Sequence, residues 1–224
     1  MGDDGNLFTV KPDGSATQAL TTDANRALVY AQPTWSPTGE HIGWARLEQK
    51  ADEVVSALVV SRADGREHQQ FEVPFPPFYL NWSPDGAQLA YLSNWVGANQ
   101  QTIALRLVNV ATGNTTVATL GTGQPFYFSW APDGKQMLTH IDNERTALLA
   151  LDGTETLLAA KSANFATPQW AGVDGKLLYE LENEGKPQLV IADATGAIAQ
   201  VVTDVKQETM LNFSMNAKGS QLAY

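Results

Sequence analysis

One segment recurs five times along the 224 residues, and no other feature narrows the fold as much. The copies read QPTWSPTGEHIGWARL (32–47), YLNWSPDGAQLAYL (79–92), YFSWAPDGKQMLTH (127–140), TPQWAGVDGKLLYEL (167–181) and NFSMNAKGSQLAY (212–224). Each sets an aromatic or large apolar anchor before a tight turn ending in Gly, and an apolar strand follows. The anchors are Trp35, Trp82, Trp130, Trp170 and Met215, spaced 47, 48, 40 and 45 residues apart. In S-P-D-G, Pro presets φ at the first central position, Asp bonds its own backbone and Gly takes the left-handed position. The fourth copy carries one extra residue before its Gly, and the fifth has Ala217 in place of Pro.

Each copy continues into a third apolar run and, after a Gly turn, a fourth. The third runs are NLFTV (6–10), VVSALVVS (54–61), TIALRLVNV (102–110), TALLAL (146–151) and QLVIAD (188–193). Four short β-rich runs in every 45 residues or so predict the four-stranded antiparallel blades of an all-β propeller. The expected blades are 31–73, 78–120, 125–160 and 166–204, with one further blade split between 1–30 and 208–224. The start of the chain supplies third and fourth strands, and its end supplies first and second. Pairing strands 6–21 with strands 211–224 would close a five-bladed ring and remove the open edge. The alternative is a segment of a six- to eight-bladed propeller.

The W-S-P-D-G turn, the strand AQLAYL after it and the strand ends in D-G or T-G resemble the TolB-like family of WD-type β-propeller repeats. The resemblance covers essentially the whole chain. It implies a propeller, and it implies function only broadly, because these residues serve turns and packing. Members of this group include periplasmic TolB, which binds protein partners, and the propellers that gate prolyl-oligopeptidase-type hydrolases. TolB also carries an N-terminal α/β domain, which nothing in this sequence matches.

In a propeller the innermost strand of each blade lines the central channel, with alternate residues facing it. One residue before each anchor stand Thr34, Asn81, Ser129, Gln169 and Ser214, and three before stand Gln32, Tyr79, Tyr127, Thr167 and Asn212. All ten are polar and uncharged, while Pro33, Leu80, Phe128, Pro168 and Phe213 between them are apolar. The expected site is therefore a polar ligand or peptide surface, with Tyr79 and Tyr127 stacking on or bonding to what binds. Loops entering the inner strands and leaving the second strands would bring Phe75, Phe78, Trp95, Phe126 and Phe165 to the channel mouth. The competing reading is that these rings cap the ends of the blades.

Catalysis is not expected. Glycoside cleavage needs two carboxyl groups together, and none of the ten positions is acidic. Asp85, Asp133 and Asp174 belong to the tight turns and are expected to brace them. No G-x-S-x-G, H-E-x-x-H or P-loop motif occurs. His41, His68 and His140 fall in different blades, and each is expected at the surface or an edge. Asp3-Asp4 and Asn143-Glu144 lack the spacing of a calcium loop, so neither metal nor cofactor is expected. Zero cysteines exclude disulfides and thiolate sites, and a net charge of −10 argues against nucleic acid or an anionic membrane surface. No apolar run is long enough to span a membrane as a helix.

The expectation is thus a monomeric, non-catalytic scaffold, periplasmic or extracellular in a bacterium, that binds a protein, a peptide or a small polar ligand. The alternative is the gating propeller of a prolyl-oligopeptidase-type hydrolase.

Overall fold

The computed structural model describes every residue except 1–3, 98–100, 113–116, 166, 172–174, 207–210 and 217–218. Its regular elements are all strands. The chain divides into two compact units, residues 1–119 and 120–224.

The first unit opens with a two-stranded sheet of β1 (Phe8–Thr9) and β2 (Gln18–Ala19). A four-stranded meander follows: β3 (Leu28–Trp35), β4 (His41–Lys50), β5 (Glu53–Arg62) and β6 (Gln69–Val73). A second is built from β7 (Pro77–Trp82), β8 (Gln88–Val96), β9 (Gln101–Asn109) and β10 (Val117–Gly123), whose last strand carries the division between units. The middle strands are β-branched and aliphatic because both of their faces are covered: Ala57–Val60 of β5 and Ala104–Val108 of β9 are buried runs.

The second unit holds β11 (Phe126–Trp130), β12 (Gln136–Ile141), β13 (Arg145–Ala150) and β14 (Glu155–Ala159) as one antiparallel sheet. Another contains β15 (Gln169–Ala171), β16 (Lys176–Asn183), β17 (Lys186–Ala192) and β18 (Ile198–Asp204). A two-stranded sheet of β19 (Ser214–Met215) and β20 (Leu222–Ala223) completes it. The third runs read from the sequence are β1, β5, β9, β13 and β17.

The repeated turn is the same object wherever it is described. Gly39, Gly86 and Gly134 each donate to the carbonyl three residues back, on Ser36, Ser83 and Ala131, at 2.9 Å, and Gly219 donates to Asn216 at 2.8 Å. Gly86 sits at φ +70, a left-handed conformation that glycine adopts without a Cβ penalty. Asp85 braces its turn as expected, accepting from the Ser83 hydroxyl at 2.6 Å and from the Ala87 N–H at 3.0 Å. The Asp174 turn lies outside the described residues.

Cores form between successive sheets. Leu58, Val60, Phe71 and Val73 of one sheet pack with Trp82, Leu89, Tyr91 and Val108 of the next. In the second unit Leu138 and Leu148 pack with Leu177, Leu178, Leu189 and Val190, and Phe165 and Phe213 join them. The anchor indoles add a directional tie. Trp82 Nε1 donates to the Thr34 carbonyl and Trp170 Nε1 to the Ser129 carbonyl, both at 3.3 Å. Each anchor thus reaches the residue just before the preceding anchor.

Candidate functional site

The inner strands carry the candidate residues, and two of those strands are not regular. On β3, Ala31 pairs with Ala45 and Thr34 with Gly43; on β7, Phe78 pairs with Leu92 and Asn81 with Ala90. Three steps on the inner strand match two on its partner, so each strand bears a β-bulge with one extra residue. Within the bulges Gln32 has φ +53 and Tyr79 φ +54. β11 pairs without interruption from Phe126↔Ile141 to Trp130↔Met137. Simple alternation from the third residue before the anchor to the first therefore holds in β11 and fails in β3 and β7, because an inserted residue shifts the phase.

The bulges also tie neighbouring strands together. Gln32 Oε1 accepts the Tyr79 main-chain N–H at 2.8 Å. In the second unit Gln169 plays a similar part with both ends of its amide: Nε2 donates to the Phe213 carbonyl at 2.7 Å and Oε1 accepts the Met215 N–H at 3.1 Å. These glutamines act as side-chain rungs between strands that share no ladder.

Exposure sorts the remaining candidates. Gln32, Tyr79, Asn212 and Ser214 are exposed, while Thr34, Asn81, Tyr127, Ser129, Thr167 and Gln169 are half-buried. Tyr79 is 42% exposed, one of the exposed large hydrophobic residues of the unit. Phe75, Phe78 and Trp95 are half-buried. The Pro77↔Ser93 pairing sets Phe75 and Trp95 at the same end of their sheet, two residues beyond it on either strand. Phe126 and Phe165 lie inside, at 2% and 0% exposure.

Phe165 belongs to a file of rings. Its ring centroid lies 3.8 Å from that of His140 with a 4° tilt, Tyr127 flanks His140 at 5.9 Å, and Phe213 flanks Phe165 at 5.8 Å. His140 is fully buried, which corrects the expectation of a surface or edge histidine. Its strand neighbours Leu138 and Ile141 are also interior, so the ring had no solvent side to take. His41 lies half-buried against Trp82, and the exposed His68 meets Trp44 edge-on.

The surface of the described residues includes grooves away from these positions. One, of about 310 Å³, lies by the anchor turns between Thr38, Glu40, His41 and Asp85. Another, of about 380 Å³, is lined by Asn143, Glu144, Lys161, Ser162 and Glu182. Neither includes any of the expected ligand-binding residues.

Sequence reasoning passed over Glu180. It lies on β16 within the buried run Leu177–Leu181, is 1% exposed, and its Oε2 has no hydrogen-bond partner among the described residues. Burial pushes its carboxyl up to about 7. The available signal was the repeat itself, since Trp44, Tyr91 and Thr139 fill the corresponding position on β4, β8 and β12, each on the second strand of its sheet.

No protein-family profile matches the chain, and no curated protein does. Solved structures do. TolB from Acinetobacter baumannii aligns over 98% of this chain and 53% of its own, at 16% identity and a TM-score of 0.51. Porphyromonas gingivalis dipeptidyl peptidase 4 aligns over 96% of this chain and 38% of its own, at 10% identity and a TM-score of 0.67. A putative dipeptidyl aminopeptidase IV from Bacteroides ovatus aligns over 98% and 43%, at 12% identity and a TM-score of 0.62. The chain spans about half or less of the length of these proteins. At such identities the likeness carries the fold alone, and that fold is the β-propeller, in agreement with the TolB-like resemblance of the repeats.

Proposed function

We propose that the chain is a non-catalytic binding module whose protein, peptide or small polar ligand engages the inner-strand ends around Tyr79. One observation carries this reading. A bulky Tyr, 42% exposed, is held at φ +54 with its N–H fixed by Gln32. A left-handed conformation costs an L-residue with a Cβ about 1–2 kcal/mol, and positions that bear such strain gather at ligand clamps. Gln32, Asn81, Phe75 and Trp95 are the partners proposed for Tyr79 in the first unit. Tyr127, Phe126, Thr167, Gln169 and Asn212 are the candidates of the second unit, with Phe126 as support from within.

The test is affinity capture with the wild type and with a Tyr79→Ala/Trp95→Ala variant of unchanged circular dichroism and melting temperature. The reading expects specific partners of the wild type to be lost from the variant. Identical capture by both proteins sinks it.

A second reading is the gating propeller of a prolyl-oligopeptidase-type hydrolase, and the alignments with dipeptidyl peptidase structures favour it. Coding sequence downstream of Tyr224 that specifies a G-x-S-x-G domain would support it, and coding sequence without one would remove it. An extracytoplasmic location in a bacterium is proposed on the TolB resemblance, and cell fractionation tests it.

A further inference from the structure

Arg106 departs from its own repeat. The residue facing the middle of the second strand is Val59 opposite Trp44, Ala147 opposite Thr139 and Leu189 opposite Glu180. In the remaining sheet it is Arg106, opposite Tyr91. Three copies show that this place in the sheet is filled by an aliphatic side chain, so packing does not call for a cation there.

The surroundings of Arg106 are unusual for a buried charge. The residue is 8% exposed, and no carboxylate lies within ion-pair distance among the described residues. Nε donates to the Ser93 hydroxyl at 2.9 Å and Nη1 to the Thr119 hydroxyl at 2.8 Å. A guanidinium has five donors, which leaves three without a partner among the described residues. Tyr91, directly across the ladder on the same face, is fully buried, and its Oη is also unpartnered. Arg106 contributes no atom to the buried groups that lack a partner, so its remaining donors are open to solvent, whereas the Tyr91 hydroxyl is buried without a bond at a cost. Thr119 is exposed, so the guanidinium has an approach from solvent along β10.

We propose that Arg106, with the hydroxyls of Tyr91 and Thr119, forms a carboxylate-binding site that is separate from the surface around Tyr79. The planar fork of a guanidinium matches a carboxylate through two parallel N–H···O bonds, and the Tyr91 hydroxyl supplies a further donor. One negative charge neutralises one cation. A phosphate dianion would bring a second charge into a site with a single cation, in a chain of net charge −10. The carboxylate belongs either to a small organic acid or to the C-terminus of a peptide.

The test follows the Arg106 Nε–H resonance of the full chain by NMR at constant ionic strength. The titrants are acetate, inorganic phosphate, and a short peptide with a free or an amidated C-terminus. Saturable displacement by acetate is expected with Kd on the order of 1–10 mM. Tyr91→Phe should weaken it about tenfold, the effect of one hydrogen bond to a charged group, and Arg106→Met should abolish the anion-dependent gain in Tm. Tighter binding of the free-acid peptide than of its amide assigns the source to a chain terminus, and acetate binding as tightly as the peptide assigns it to small acids. Both support the site. A resonance that does not move or does not saturate overturns it, as does phosphate binding more tightly than either carboxylate. Because this readout needs only the wild type, it stands even where Arg106→Met does not fold.

Discussion

Gln32 and Tyr79 occupy corresponding places in successive sheets, both at positive φ, and the side chain of the first accepts the main-chain N–H of the second at 2.8 Å. A bulge removes an N–H from its ladder, and this contact supplies the acceptor the ladder lost. Gln32→Ala is expected to destabilise the protein by about 1 kcal/mol in urea unfolding, while Gln32→Glu, which keeps an acceptor, should cost less. Tyr79→Gly should be neutral or stabilising because glycine relieves the backbone, whereas Tyr79→Val should cost about 1–2 kcal/mol. Equal losses for Gly and Val would mean that backbone conformation is not what Tyr79 contributes.

Gly43 is required by close approach between sheets. A Cβ there would lie 3.0 Å from Leu89 Cδ2 and 3.1 Å from Trp82 Cζ2. Gly43→Ala should destabilise by about 1–3 kcal/mol through overpacking. Adding Leu89→Ala should recover part of that loss, although Leu89→Ala alone costs about 2–5 kcal/mol. Strictly additive losses in the double-mutant cycle would refute the steric account.

The sheets were legible in the sequence because every turn carries its own chemistry. Gly closes the first turn of every repeat, with Pro and Asp before it in the copies at 83–86 and 131–134, and the Val-rich and Leu-rich runs mark strands covered on both faces. The bulges were not legible. QPTW and YLNW differ from YFSW in no way that announces an extra residue, and the consequence for side-chain phase appears only in the pairing of Thr34 with Gly43 and Asn81 with Ala90. Phe165 reads as a loop aromatic because it flanks a strand, yet it is buried against His140 and Phe213, which arrive from elsewhere in the chain. Arg106 and Glu180 were visible as charged residues inside apolar strands. Their weight emerges only when each is set beside the residues at the same place in the other copies.

Asp85 should behave as a local brace. Its bond from the Ser83 hydroxyl, and then that from the Ala87 N–H, hold its carboxyl below the usual range. Asp85→Ala is expected to cost about 1 kcal/mol at pH 7, and Asp85→Asn less, because the amide oxygen still accepts. A depressed carboxyl stabilises the fold above its unfolded pKa and loses that contribution as pH falls through its folded one. The gap between wild type and Asp85→Ala should therefore narrow below the ordinary aspartate value of 3.8. A gap that stays constant down to pH 2.5 would show that the ionised form has no part in the turn.

Glu180 carries the opposite sign. Its carboxyl is raised from 4.5 to about 7 by burial, so the folded chain binds this proton more tightly than the unfolded chain. Stability from this group is complete below pH 4.5, declines as pH rises, and is lost once pH passes about 7. The shift corresponds to a loss on the order of 3 kcal/mol at 1.36 kcal/mol per pH unit. Glu180→Gln keeps the shape and cannot ionise. It should match the wild type near pH 4.5 and exceed it by up to about that amount at pH 8. Urea unfolding of both proteins at pH 5 and pH 8 measures the difference. A wild type as stable at pH 8 as at pH 5, with Glu180→Gln no better at the higher value, would mean that Glu180 finds a compensating partner when it ionises.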